Sequence, residues 1–504
     1  MNILLVYPKS IETFWNLAGL KRFVGRNPSL PPLALLTVAA MLPKHWKKKL
    51  VDMNIHELTD EDGMWADYIF MSAMTTHSDS AKEVVARCIR WGTRVVLGGP
   101  ILESGCEAFP GVSHFLLGEA ENTLPEFIAE LQLGTAKKIY PRKSFPEMNL
   151  SPTPLWELID PNDYQSLIVQ FGRGCPFNCG FCDVAQRNGR IVRTKSSDQF
   201  LRELDAMHAI GFSGPVFVAD DNVIGNKGNF KEMLPQLISW QIEHDHPFGF
   251  TAEVDVTIAD DPALMLNMVK AGFKKVFLGL ETPNLESLRE CRKWQNIRRD
   301  MADCVRRIQN HGLVPMSGFI VGFRNDNPDT FDLQMIDFIQ ETGILFAMVG
   351  VLQILPGTPL YEELIREGGS LQSQSTGNNT DCYPNFDPEM PLERLVRGYK
   401  KIWETIYSPR KYYERTCVFL REYNTENRVA KKVTRAELRA FLASVWYIGL
   451  VGGFESIGGL ESSYYYWKTL LFALFKYRPA FSEAVAGQIY GYHFRQVAKG
   501  IQKA

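Results

Sequence analysis

Three cysteines govern the chemistry that this sequence can do. Cys175, Cys179 and Cys182 stand at Cys-x3-Cys-x2-Cys within Gly172-Arg173-Gly174-Cys175-Pro176-Phe177-Asn178-Cys179-Gly180-Phe181-Cys182. Three thiolates on one tight loop can hold three irons of a cubane [4Fe–4S] cluster and leave the fourth iron open to a non-protein ligand. A structural zinc site would want a fourth Cys or His nearby. None occurs between Asp183 and Met207, and His208 lies a whole predicted helix away. Chance clustering of buried cysteines is the remaining alternative. Cys88, Cys106, Cys291, Cys304, Cys382 and Cys417 are dispersed, as small core residues would be.

The elements that position these thiols follow from the rest of the chain. Its 504 residues suggest about three domains at roughly 150 residues each. Hydrophobic residues at 45% and charged residues at 22% exclude wholesale disorder and a disulfide scaffold. A formal charge of −2 gives no reason to expect nucleic acid. Met1 to Pro8 lacks a basic start and a cleavage site, so it reads as a strand. No run of 18 uncharged apolar residues occurs; Ala440 to Leu460 comes near but is broken by Glu455 and glycines. Nine cysteines without an export signal fit a reducing cytoplasm.

Over residues 1–136 apolar runs alternate with helical stretches, the pattern of a doubly wound parallel sheet. Strands are expected at Ile3–Tyr7, Lys49–Met53, Tyr68–Ser72, Arg94–Leu97 and Phe115–Leu117, with helices at Leu33–Leu42, Ser80–Trp91 and Leu124–Leu131. Such a sheet binds ligands beyond its strand carboxyl ends. Those ends carry Tyr7, Pro8, Ser72, Gly98, Gly99, Pro100, Gly118 and Glu119. Residues 137–164 are proline-rich and read as a linker. Residues 165–365 return to wider-spaced strands, at Leu167–Phe171, Val216–Ala219, Phe248–Glu253, Lys275–Leu280, Met316–Val321 and Met348–Leu355. Six β/α units without a dinucleotide glycine fingerprint suggest a partial (β/α)6 barrel with its chemistry at the strand C-termini. Residues 366–504 read as mainly helical. From Pro391 to Ala440 the chain is locally +7, either a solvated helical face or a surface for anionic lipid.

With Phe181 preceding the last cysteine, the thiol loop resembles that of the radical S-adenosylmethionine superfamily. The resemblance implies that the open iron chelates S-adenosylmethionine and that cluster reduction cleaves it to methionine and a 5′-deoxyadenosyl radical. Further matches are Ala219-Asp220-Asp221-Asn222, Gly279-Leu280-Glu281-Thr282-Pro283, Gly318-Phe319-Ile320-Val321-Gly322-Phe323 and Leu355-Pro356-Gly357-Thr358-Pro359. They make Phe181, Asp220, Asp221, Glu253, Glu281, Ile320, Val321 and Pro356 candidates for S-adenosylmethionine contacts. Glu281 and Glu253 can accept hydrogen bonds from ribose hydroxyls or an ammonium, or be salt-bridged at a helix N-terminus. Asp220 and Asp221 can instead cap the next helix, and Ile320 and Val321 are equally explained by a core strand.

The first domain is similar to the cobalamin-binding domain of cobalamin-dependent radical enzymes, through Leu4-Leu5-Val6-Tyr7-Pro8, Leu30-Pro31-Pro32-Leu33-Ala34-Leu35, Ser72, Gly98-Gly99-Pro100 and Gly118-Glu119-Ala120-Glu121. It departs from that domain's Asp-x-His-x-x-Gly, having Lys9-Ser10-Ile11-Glu12-Thr13 in its place. No histidine is assigned as lower cobalt ligand; His56 and His77 are the nearest alternatives. Either cobalamin binds without a protein imidazole or the domain survives as a scaffold.

The C-terminal region resembles the helical extension of the family that includes hopanoid C-2 methylases and tetraether lipid cyclases. Ile406-Tyr407-Ser408-Pro409-Arg410-Lys411-Tyr412-Tyr413-Glu414-Arg415 and Ile489-Tyr490-Gly491-Tyr492-His493-Phe494 carry the resemblance. Tyr464-Tyr465-Tyr466-Trp467 with Leu470, Leu471, Phe472, Leu474 and Phe475 either line an apolar pocket or pack helices. Together the resemblances imply a radical enzyme that methylates an unactivated carbon of a hopanoid- or isoprenoid-like lipid. Its cofactors would be a [4Fe–4S] cluster, S-adenosylmethionine and cobalamin, with a flavodoxin or ferredoxin as electron donor. It would be cytoplasmic, in peripheral contact with a membrane. The alternatives are a radical cyclase or oxidoreductase without methyl transfer, and a non-enzymatic sensor or electron-transfer protein.

Overall fold

In the computed structural model, which describes residues 1–428, 433–451 and 459–503, apolar runs buried on both faces form two all-parallel six-stranded sheets. The first sheet comprises β1 (Asn2–Tyr7), β2 (Lys47–Asp52), β3 (Tyr68–Ser72), β4 (Arg94–Gly98), β5 (His114–Leu116) and β6 (Ile139–Tyr140), in the order β2-β1-β3-β4-β5-β6. Leu4, Val6, Ile69 and Leu97 pack on one face against the helix Ser78–Trp91. Ile3, Leu5 and Phe70 pack on the other with Leu35 and Phe127, from the helices Leu33–Met41 and Ala120–Leu133. The strand order reverses between β1 and β3, which opens a crevice at their carboxyl ends.

β6 lies inside the segment expected to be a linker. Two residues are too short to show alternation, yet they pair with β5 at Phe115 and Leu116. The same segment is strapped down again where the Tyr164 hydroxyl donates to Asp52 Oδ2 at 3.0 Å.

The second sheet starts with β7 (Leu167–Val169). A short antiparallel ribbon of β8 (Gly172–Arg173) and β9 (Arg193–Thr194), not expected from the sequence, follows it. The remaining strands are β10 (Gly214–Val218), β11 (Phe248–Val254), β12 (Phe273–Glu281), β13 (Val314–Val321) and β14 (Phe346–Val351). Their spatial order β14-β13-β12-β11-β10-β7 follows the chain, which is the open barrel that the six β/α units predict. β7 stops two residues short of the expected Phe171, because the amides of Phe171 and Gly172 turn away from the sheet to Asp220.

β14 is an edge strand, and the helical extension covers it. The Tyr407 hydroxyl donates to Ala347 O at 2.8 Å and accepts from Ala347 N at 3.1 Å. Trp403 Nε1 donates to Val349 O at 3.0 Å. Both rings are fully buried on the helix Leu392–Ile406 and the turn after it. The helices Pro409–Glu422, Arg435–Ser444, Gly459–Lys476 and Phe481–Lys503 complete the extension. The apolar tract from Ala440 continues through a π-helical turn, Val445–Leu450; Glu455 lies outside the described residues. Among the described residues no helix is long and apolar enough to cross a membrane.

Candidate active site

The thiol loop leaves β8 through Gly174, whose φ of +101° suits glycine, and a Cβ there would meet Gly189 O at 2.8 Å. Cys175 N donates to the same carbonyl at 3.1 Å. Midway, Gly180 N donates to Cys291 O at 2.7 Å and Gly180 O accepts from Leu360 N at 2.9 Å. The loop is therefore fixed from three directions before any ligand is considered. All three thiols are free. Burial pushes Cys175 up to about 11 and Cys182 up to about 12. No group of three ligands among the described residues converges on a single metal ion, whereas a cubane takes each cysteine on a different iron.

Lys293, which carries no signal in the sequence, faces this loop. Burial works against its charge, but Glu281, Cys179 and Cys182 hold its pKa above the ordinary lysine value. A buried cation beside clustered thiols fits a loop built to carry anionic sulfur, and Cys175, Cys179 and Cys182 would hold the cluster. Lys293 Nζ lies 2.7 Å from Glu281 Oε1 and 5.8 Å from the Phe181 ring centre. Gln295 Nε2 approaches Cys179 Sγ at 3.8 Å, while its Oε1 is buried without a partner among the described residues.

Glu281 ends β12 at a bulge, in left-handed backbone (φ +65°). A non-glycine residue held there costs on the order of 1–3 kcal/mol. Asn296 Nδ2 holds the bulge by donating to Gly279 O (3.0 Å) and Leu280 O (3.1 Å). Any Cβ at Gly279 would collide with the Glu281 carboxylate and Lys293 Nζ. Glu281 is thus salt-bridged, to Lys293, as the second of the two sequence readings has it, while the cap of the following helix Leu285–Glu290 is Asn284.

Asp220 and Asp221 shape the loop. Asp220 accepts from Phe171 N at 2.7 Å and Gly172 N at 2.6 Å, and burial pushes its carboxyl up to about 7. Asp221 Oδ2 accepts from Asn188 Nδ2 at 2.9 Å and from Gly174 N at 3.4 Å. Neither caps the next helix; Asn226 does. Glu253, at the end of β11, makes no side-chain hydrogen bond among the described residues. Burial, then Asp221 and Asp220, push it up to about 8 against the pull of Lys293. Ile320 packs in a small apolar cluster with Phe181, Cys291 and Leu352, whereas Val321 belongs to the main core. Pro356 is exposed.

The residues expected at the first sheet's mouth all lie at or just beyond strand carboxyl ends. Tyr7 ends β1 and Pro8 follows it, Ser72 ends β3, Gly98 ends β4 with Gly99 and Pro100 after it, and Gly118 and Glu119 follow β5. Gly99 (φ +99°) is required by the protein itself, since a Cβ would sit 2.6 Å from Ala73 O. Gly98 has ordinary backbone and only Leu116 O nearby, at 3.4 Å. Glu119 is engaged across the domains: Arg173 Nη1 reaches it at 2.5 Å and Arg193 Nη2 at 2.7 Å, while Arg173 Nη2 reaches Glu121 at 2.8 Å. Despite burial, Arg173 holds Glu121 below the usual carboxylate range. This cluster clamps the first sheet's end to the residue two before Cys175. His77 is buried against Tyr7, with its Nδ1 accepting from Met74 N at 3.0 Å and burial pushing it down to about 4. His56 is exposed and paired with Asp163 at 2.9 Å.

A cavity of about 510 Å³ opens just past β14, between residues 12–19, the coil 373–384 and the last helix. Its lining mixes polar side chains such as Gln353, Thr376, Asp381 and His493 with apolar ones such as Val497 and Ile501, and none of it comes from the aromatic tract expected to form an apolar slot. That tract divides instead: Tyr466 and Leu470 are buried, whereas Tyr464, Trp467, Leu471, Leu474 and Phe475 face outward.

An open barrel with three free thiols and an acid–lysine pair at its strand ends defines a radical S-adenosylmethionine enzyme. The radical SAM superfamily pattern matches residues 169–337, and a domain of unknown function (DUF4070) matches residues 358–504. An uncharacterized methyltransferase of Synechocystis sp. is 38% identical over 89% of this chain and 84% of its own length. The hopanoid C-2 methylase of Rhodopseudomonas palustris is 29% identical over 90% of this chain and 87% of its own. The chain belongs to the radical S-adenosylmethionine superfamily, in the same family as these methyltransferases. The fold is also that of the Kitasatospora setae radical S-adenosylmethionine methyltransferase TsrM, solved with cobalamin and a [4Fe–4S] cluster. The TM-score is 0.63 at 13% identity, covering 88% of this chain and 95% of that one.

Proposed function

We propose that this protein is a cobalamin-dependent radical methyltransferase that adds a methyl group to an unactivated carbon of a hydrophobic, isoprenoid-type lipid while in peripheral contact with a membrane. The observation that carries the reading is the clamp of Glu119 and Glu121 on Arg173. It fixes the mouth of a corrinoid-type sheet against the thiol loop, as a reaction that uses two cofactors on one substrate requires. The lipid-like substrate rests on the hopanoid C-2 methylase relative.

When bound, the reduced cluster supplies the electron that splits S-adenosylmethionine, and cobalamin supplies a methyl carrier. The chain does the positioning. Cys175, Cys179 and Cys182 bind the cluster, and Lys293 balances the negative charge that gathers there. Glu281, oriented by Lys293 and the Asn296-braced bulge, accepts hydrogen bonds from the bound nucleoside. Glu253, pushed toward its neutral form by burial, adds a second hydrogen bond. Asp220 and Asp221 hold the loop backbone, Phe181 and Ile320 exclude water, and Pro356 lies at the rim. On the other sheet, Tyr7, Pro8, Ser72, Gly98, Gly99, Pro100 and Gly118 leave room for the corrinoid, and Glu119 keeps that mouth in register with the loop.

The test is anaerobic reconstitution followed by iron, sulfide and corrinoid assays, then incubation with S-adenosylmethionine, a low-potential donor such as reduced flavodoxin, and polycyclic isoprenoid lipids. The expected product is heavier by CH2, with 5′-deoxyadenosine released. A product lighter by two hydrogens would make the enzyme a cyclase or oxidase, and failure to release 5′-deoxyadenosine with any substrate would refute the reading.

A further inference from the structure

We propose that the helices Arg435–Ser444 and Gly459–Lys476, with the π-helical turn Val445–Leu450, form a docking surface for an anionic lipid bilayer. The proposal deepens the lipid reading above by naming the surface and the lipid chemistry. It rests for its purpose on that reading, although its physical basis does not involve the cofactors.

Large exposed apolar side chains are ordinary when scattered. Of the 28 among the described residues, 11 fall between Val433 and Phe475, and they are aligned. Leu438, Leu442, Trp446 and Leu450 recur every fourth residue, and Leu460, Tyr464, Trp467, Leu471 and Leu474 recur every third or fourth. Each set lies along one helical face. The two elements are antiparallel neighbours: Ser444 Oγ meets Tyr466 OH at 2.8 Å and Ser463 Oγ donates to Ile448 O at 3.0 Å. Their inner faces are satisfied, since Ile448, Tyr466 and Leu470 are buried. Trp467 Nε1 donates to Gly449 O at 3.1 Å, which brings the second stripe beside Leu450. Nothing among the described residues covers the outer side; Phe475 is 80% exposed and Leu460 76%.

Charge and side-chain type select the occupant. Arg435, Arg439, Lys468 and Lys476 on these helices outnumber Glu437 and Glu461. Lys468 and Lys476 pair with no carboxylate among the described residues and lie over aromatic rings, Lys468 Nζ at 4.8 Å from Tyr413 and Lys476 Nζ at 5.7 Å from Phe472. Cations flanking an apolar face suit anionic headgroups, and Trp and Tyr suit the boundary between headgroups and acyl chains. A second copy would bring like charges together at a symmetric contact, which disfavours self-association. Neither helix can span, so the pair lies in the plane of the interface.

Flotation of the full-length protein with phosphatidylcholine vesicles, with and without phosphatidylglycerol, tests this directly. The protein should float with the phosphatidylglycerol vesicles and be released by salt. Trp446→Ser with Leu471→Ser should weaken partitioning by roughly tenfold or more. Phe475→Glu, at a position too exposed to affect folding, should do likewise. Lys468→Glu with Lys476→Glu should abolish the preference for phosphatidylglycerol. Absence of flotation, equal flotation of wild type and variants, or a dimer that Phe475→Glu converts to monomer would each overturn the proposal. Reductive S-adenosylmethionine cleavage is measured separately in detergent-free solution. Cleavage without flotation removes the docking surface and leaves the enzyme reading, whereas flotation without cleavage does the reverse.

Discussion

Lys293 Nζ lies 2.7 Å from Glu281 Oε1, with both side chains nearly excluded from water and Cys179 and Cys182 close enough to raise the lysine's pKa. Removing one member of such a pair strands the other. Lys293→Met alone should cost about 3 kcal/mol or more in chemical denaturation of the cofactor-free protein. The double variant with Glu281→Gln should recover most of that loss, because no buried charge is left unpaired.

Alanine at Cys175, Cys179 or Cys182 should abolish the brown absorbance and reductive S-adenosylmethionine cleavage, since each thiol supports one iron. Cys291→Ala should keep its iron. Its carbonyl, not its sulfur, anchors the loop at Gly180. Full cleavage in any of the first three variants would refute the cluster assignment.

Glu253 and Asp220 give the cofactor-free protein a definite pH dependence. Their folded values, about 8 and about 7, lie above the ordinary carboxylate range. Stability from a raised acid is present below its unfolded pKa and lost as pH rises through the folded one. Their contribution to stability is therefore lost between about pH 5 and pH 8, against the gain that buried His77 and His493 give up to about pH 6.5, so the thermal midpoint of Glu253→Gln should rise relative to wild type as pH increases over that interval. A difference between the two midpoints that does not change with pH would show that Glu253 has the same pKa folded and unfolded.

Bulk at the first sheet's mouth should be placed with care. Gly99→Trp would clash with Ala73 before any corrinoid arrived, so its instability would tell nothing about the ligand. Gly98→Val adds bulk at an open position and should reduce corrinoid content while iron stays constant. In electron paramagnetic resonance of the Co(II) form, absence of nitrogen splitting is expected. Triplets that vanish in His56→Ala or His77→Ala would identify the lower ligand, although His77→Ala also removes the ring packed on Tyr7.

Most of this architecture is legible in the sequence because strands buried on both faces are continuous apolar runs, as at Tyr68–Ser72, which the structure reproduces residue for residue. Ile139–Tyr140 escapes notice because two residues carry no period. Lys293 and the pairing of Arg173 with Glu119 and Glu121 are invisible for a different reason: a single charged residue has no pattern, and its meaning comes from a partner 12 to 54 positions away. The thiol loop is the opposite case, with all three ligands inside eight residues. The outward aromatic stripe is the least legible, since helical spacing is the same whether a face meets core or solvent.

The Tyr407 hydroxyl occupies both hydrogen-bonding groups of Ala347 on the outer edge of β14, in the place that a seventh strand would take. The extension is thereby a cooperative part of the catalytic fold and not a removable appendage. A chain cut after residue 365 would present a naked sheet edge with the backbone groups of Ala347 and Val349 unpaired, a template for strand addition between molecules. The smallest soluble unit of this enzyme should accordingly run past Tyr407, and domain-dissection experiments that stop at the barrel should recover aggregate rather than a minimal radical core.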